Sequence, residues 1–84
     1  MFTCIDCGIN TKDIEEYYMV KDHIWESYGS RNGMLCIGCL EKRMSRQLNP
    51  DDFSDCPLNH SDLWKKSSRL LNRLGYYEYN RSLL

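Results

Sequence analysis

Four of the five cysteines form two Cys-x-x-Cys pairs, Cys4 with Cys7 and Cys36 with Cys39, and 28 residues lie between the pairs. Thiolates are soft ligands, and a two-residue spacer lets the backbone turn until both sulfurs of a pair face one ion. Two such pairs match tetrahedral zinc, whereas one alone would equally fit a redox dithiol. Four protein sulfurs close the shell and leave no position for a reactive water. The pattern therefore predicts one structural Zn2+ and argues against a zinc hydrolase. Two independent thiol pairs or disulfides are the bland alternatives. Cys56 makes the thiol count odd, which suits a disulfide framework poorly. It is expected as a small buried hydrophobe rather than as a ligand shared with His60.

Other residue types invite chemistry less directly. His23, Asn49 and His60, with Asp51, Asp52 and Asp55, raise an HNH-like nuclease reading. That scaffold puts its catalytic metal between hairpin and helix, where the four cysteines already place zinc, so no catalytic residue is expected and the chain reads as a non-enzyme. Lys42, Arg43, Arg46, Lys65, Lys66, Arg69 and Arg73 could grip phosphates, with Tyr76, Tyr77 and Tyr79 stacking on unpaired bases. A charged stripe is also the ordinary solvent face of an amphipathic helix. Trp25, Trp64, Tyr17, Tyr18, Tyr28 and the tyrosines of the tail exceed what a small core hides, and such residues anchor protein interfaces. A protein partner, self-association included, is the favoured expectation; nucleic acid is the alternative and nuclease chemistry the third.

Composition narrows the field. Eighty-four residues make a single domain with a modest core that benefits from a metal staple. Net charge is −1, and four thiolates with one zinc ion bring it to about −3, no general invitation to nucleic acid. Residues 1–34 carry six acids and three bases and residues 35–84 six acids and eight bases, so a phosphate-binding surface would lie in the second half. The sequence has no apolar run near 18 residues and no secretory signal at its start. Reduced thiols then point to a cytoplasmic location, the host cytoplasm for a phage-encoded chain.

These side chains need elements to hold them. Cys4-Ile5-Asp6-Cys7-Gly8 reads as a knuckle, followed by a polar loop from Asn10 to Glu16. Tyr17-Tyr18-Met19-Val20 has strand character, Asp22 can cap a short helix across His23–Tyr28 ended by Gly29, and Ser30–Gly33 is a turn. Met34 and Leu35 lead a short strand into the second pair. Leu40, Met44 and Leu48 then recur every four residues, an amphipathic helix of about ten residues starting at that pair. Asn49-Pro50-Asp51-Asp52 stops it and starts another turn, with Phe53 as its core anchor. Asn59 or Ser61 can cap a last helix that buries Leu63, Trp64, Leu70, Leu71 and Leu74 and shows Lys65, Lys66, Arg69 and Arg73 outward, until Gly75 ends it.

A knuckle, a strand-rich middle and a Cys-x-x-Cys at a helix N-terminus make a small α+β zinc-stabilised domain: a treble-clef zinc finger (residues 1–48), a helical extension (49–75) with the added C-terminal amphipathic helix, and a tyrosine-rich tail (76–84). A zinc ribbon would put the second pair on another hairpin, against the periodicity after Cys36. The runs Tyr17–Val20, Ile24-Trp25, Gly33–Glu41, Arg43, Arg46, Leu48 and Asp52-Phe53 resemble a family of small phage and bacterial treble-clef zinc-finger proteins of mostly uncharacterised function. The resemblance covers about residues 4–60 and implies fold and metal more than activity. Where that family tends to carry glycine after the helix centre, this chain has Ser45. By analogy a phage origin implies interference with a host factor, or DNA handling.

Overall fold

The computed structural model describes residues 2–60 and 65–76. Its elements are short: helix α1 (Asp22–Tyr28), helix α2 (Ile37–Met44), a 3-10 turn (Pro50–Asp52), helix α3 (Pro57–His60) and helix α4 (Ser68–Leu74). No helix among the described residues is long and apolar enough to cross a membrane.

The strands expected at Tyr17–Val20 and Met34-Leu35 shrink to isolated bridges among the described residues. Thr3 pairs with Asn10, Cys4 with Met34 and Val20 with Phe53. Side chains do the pairing that a neighbouring strand would otherwise do. Asn59, fully buried, accepts from Met19 N at 3.0 Å and donates to Met19 O at 2.8 Å, so its amide stands in for a strand partner. A second amide hydrogen bond to Ser54 O, 2.7 Å, fixes the orientation, and Ser54 Oγ donates to Val20 O. Buried backbone polar groups must be paired by something, and here a ladder is not required. Asn59 is accordingly inside α3, not the cap of a long last helix.

The helix after Cys36 is also shorter than expected. It ends at Met44 because Ser45 takes a left-handed conformation, φ 61°, and its N–H turns back to Glu41 O and Lys42 O. Leu48 is buried all the same, delivered by the loop, with its N–H bound to Glu41 Oε2 at 2.7 Å. Asn49 and Asp52 form the capping box that the Asn-Pro-Asp-Asp run suggests.

The expected last helix is corrected most. Lys65, Lys66 and Ser67 are not helical; Ser67 is the N-cap, its Oγ accepting from Leu70 N at 3.0 Å, and only Ser68–Leu74 follow as helix. Ser61, Asp62, Leu63 and Trp64 lie outside the described residues. Ser67 wins as cap because its hydroxyl meets both the helix amide and the Glu16 carboxylate.

One core joins everything. Cys4, Leu35, Ile37 and Leu40 are fully buried, and Tyr18, Ile24, Phe53, Leu70 and Leu74 pack in the same cluster. Burying leucines such as Leu70 contributes about 2 kcal/mol each, so α4 is held by apolar contact as well as by charge.

Candidate metal centre

Two turns of different construction bring the four cysteines together. In the first, Gly8 N–H bonds to Cys4 O at 2.8 Å and Cys4 N–H to Ile9 O at 2.7 Å. Gly8 sits at φ 82°, a conformation that glycine adopts without strain. Ile5 N–H then bonds to Met34 O at 3.0 Å, which lays this knuckle beside the segment entering Cys36. In the second, Cys36 is the N-cap of α2 and Cys39 falls in its first turn. Helix-end N–H groups and the helix dipole favour thiolates there.

The four Sγ atoms lie within 4.8 Å of one another, and Cys7 Sγ and Cys36 Sγ are 3.9 Å apart. Tetrahedral zinc with Zn–S near 2.3 Å places its sulfurs about 3.8 Å apart, so the cluster needs a contraction of about 1 Å at most. All five cysteines are free thiols. The donor set is all sulfur and can hold one metal ion; Cys56 lies outside it. Each pair turns its first sulfur inward and its second outward: Cys4 and Cys36 are buried, Cys7 is exposed and Cys39 half-buried. The outward side opens into a shallow depression lined by Asp6, Cys7, Cys39, Lys42 and Arg43.

Electrostatics divide the sulfurs. Burial opposes ionisation of Cys4, yet N–H groups of Cys36, Cys7 and Asp6 outweigh it and bring its pKa down to about 6. Burial raises Cys36 and Cys39, and for Cys39 the sulfurs of Cys36, Cys4 and Cys7 add to the rise. A cluster that can ionise one thiol readily but resists the next needs a cation to become four thiolates.

Four carboxylates pair with the arginines of the basic face that the sequence suggested, and with Arg43 and Arg46. Glu16, read as part of a polar loop, is buried. It accepts from Ile37 N at 3.0 Å, Ser67 Oγ at 3.0 Å, and Arg69 Nε and Nη2 at 2.8 Å each. It therefore caps α2 from outside the helix. Burial opposes its ionisation, but Arg69 and the Ile37 N–H hold its pKa below the ordinary 4.5. Glu41 receives Arg73 Nε at 2.7 Å, and both side chains are largely buried. Asp6 receives Arg43 at 2.7 Å and 2.8 Å, and Arg43 also donates to Tyr28 O and Gly29 O, closing the end of α1. Asp52 receives Arg46 at 2.8 Å and 2.9 Å. The only sequence signal for these pairs was the presence of both signs; partners such as Glu16 and Arg69, 53 residues apart, have no local pattern.

The remaining candidates are scattered. Arg69 and Arg73 are on α4, while Lys65 and Lys66 precede its cap. His23 is exposed on α1; His60 lies near Asp55, with Nε2 to Oδ1 at 3.2 Å, and its Nδ1 is 3.1 Å from Tyr76 Oη. Among the aromatic residues, Tyr18 is core, its hydroxyl donating to Leu35 O at 2.7 Å, and Trp25 is half-buried. Tyr17 meets Phe2 edge-on, while Tyr28 and Tyr76 are exposed. Tyr77, Tyr79 and Trp64 lie outside the described residues. Comparison with protein-family models, curated proteins and solved structures gives no match to this chain.

Proposed function

We propose that this chain is a structural-zinc binding module of treble-clef type that acts through a protein partner. The observation that carries it is the closed set of four sulfurs within 4.8 Å of one another, wrapped by a knuckle on one side and a helix N-terminus on the other. Zinc is preferred to other thiophilic ions because two Cys-x-x-Cys turns supply four tetrahedral thiolates without redox demands. Holding that ion contributes folding free energy and leaves the surface for recognition.

The partner class rests on what the surface offers. Ile5, Ile9, Met19, Tyr28 and Tyr76 are exposed. Arg43, Arg46, Arg69 and Arg73, by contrast, each hold a carboxylate of the same chain. A guanidinium committed to a carboxylate is a poorer phosphate ligand, which supports a protein over nucleic acid. The resemblance to small phage and bacterial zinc-finger proteins makes a host factor the partner by analogy.

The test pairs metal analysis with salt-dependent binding. One zinc per chain is expected, together with capture of a host protein that survives nuclease treatment. The alternative, a nucleic-acid-binding finger, predicts duplex affinity that falls steeply with salt and loses about three units of log–log slope in Lys42→Ala/Lys65→Ala/Lys66→Ala. Arg69 and Arg73 are left intact because removing either strips a structural carboxylate. Salt-steep duplex binding that this variant abolishes would overturn the protein-partner reading. Magnesium-dependent DNA cleavage lost in His23→Ala or His60→Ala would overturn the non-enzyme reading.

A further inference from the structure

Helix α4 reaches the candidate metal centre through one side chain. Arg69 commits Nε and Nη2 to Glu16 and has Nη1 left to donate. That nitrogen lies over the Cys36–Cys39 turn: a Cβ built on Gly38 would sit 2.8 Å from Nη1. The anchor is fixed by the same turn, because Glu16 Oε1 accepts the N–H of Ile37, next to Cys36. A side chain at position 38 would crowd that guanidinium, and glycine does not.

We infer that Arg69 is a positioning residue of the metal centre: anchored on Glu16, its guanidinium lies over the Cys36–Cys39 turn and donates to the Cys36 sulfur, orienting that ligand. The inference rests on the metal reading above. Four thiolates on a divalent ion carry a net charge of −2, and Glu16 brings another negative charge to the same buried corner. Arg69 is the cation that lets the two coexist. Outer-shell donors of this kind orient ligands and tune the bound ion. Helix α4 is thereby a component of the metal site, although it supplies no ligand.

Cobalt(II), added to the full-length chain in place of zinc, reports on the sulfurs through its sulfur-to-metal charge-transfer band. The comparison is made in the wild-type background, where Glu16 still anchors the guanidinium and, when Arg69 is changed, keeps its hydrogen bonds from Ile37 N–H and Ser67 Oγ. In that background Arg69→Gln is expected to weaken cobalt binding about tenfold or more and to move the band to lower energy. Arg69→Lys should recover part of both. Arg73→Gln, which removes the other guanidinium contact of the same helix, should leave the band in place. If Arg69→Gln behaves like Arg73→Gln in band position and affinity, Arg69 only docks the helix and the inference is overturned. A wild-type chain that takes up no cobalt overturns the metal reading and this inference together, whereas uptake with an unmoved band overturns this inference alone.

Discussion

The two Cys-x-x-Cys turns have the same spacing and are held in different ways. The first is held by backbone groups: Gly8 closes the turn, and N–H groups of Cys36, Cys7 and Asp6 bring Cys4 down to about 6 despite its burial. The second is held from outside. Burial pushes Cys36 up, and a carboxylate 21 residues upstream caps the helix beginning there, with an arginine from the C-terminal helix clamped on that carboxylate. Identical spacing thus specifies the ligand but not its support. The first turn should tolerate changes elsewhere in the chain, while the second should feel changes in Glu16 and in α4.

The largest effect ought to be indifferent to this asymmetry. Cys4→Ser and Cys36→Ser each remove one of four ligands, so both should lose the metal and cooperative unfolding, a loss on the order of 10 kcal/mol when metal binding and folding are coupled. Cys56→Ser should keep metal and fold. Thermal unfolding alongside metal analysis checks all three. Zinc lost on the Cys56 change, or retained at full stoichiometry without Cys4, would break the ligand set.

The asymmetry itself appears one step down. Glu16→Ala removes the outside cap of α2 and strands Arg69, and should cost about 2 kcal/mol; a fully buried pair would cost more, but the Arg69 side chain is 41% exposed. Asp6→Ala, which breaks an ion pair beside the first turn with both partners about a third exposed, should change stability little. Urea unfolding of the two variants compares them directly. Equal losses would mean that the turns are supported alike.

These contrasts also explain what could be read from the chain. The ligands were legible because metal spacing is local: Cys4 with Cys7 and Cys36 with Cys39 announce themselves within four residues. The start of α2 was legible for the same reason. Glu16, Asn59 and Ser67 were not, since their work is long-range and any polar residue in a loop looks alike until its partner is known. Asn59 replaces a strand partner for Met19, 40 residues away, within the segment expected as the strand Tyr17–Val20. Ser67 starts α4 where periodicity alone ran a helix through Lys65 and Lys66. The arginines of the supposed phosphate-gripping face were visible, but their carboxylates were not.

Acid sharpens the comparison further. Glu16 is held below its ordinary 4.5, although burial works the other way, because Arg69 and the Ile37 N–H favour the carboxylate. A depressed pKa contributes stability that is complete above the unfolded value and is lost as pH falls through the folded one. The gap in stability between wild type and Glu16→Gln should therefore be level above about pH 5 and close below pH 4.5, since proton uptake by the thiolates is common to both chains and cancels in the difference. A gap as wide at pH 3 as at pH 7 would show that Glu16 acts only through its shape.

The smallest effect is at the far end of α2, away from both sulfurs of its pair. Ser45 holds φ 61° in an exposed position, where a side chain with Cβ is strained and glycine is not. Ser45 Oγ has no partner to lose among the described residues, and the left-handed residue is needed to turn its N–H back to Glu41 O and Lys42 O. Ser45→Gly should accordingly stabilise the fold by about 1 kcal/mol, the relief in the folded state exceeding the added freedom of the unfolded chain. Metal affinity should move only in so far as it is coupled to folding, because the substituted residue lies two turns from Cys39. Denaturant midpoints measured with metal bound decide the matter. A destabilised glycine variant would mean that the serine hydroxyl, not the backbone angle, ends the helix, and that α2 is supported by side chains at both of its ends.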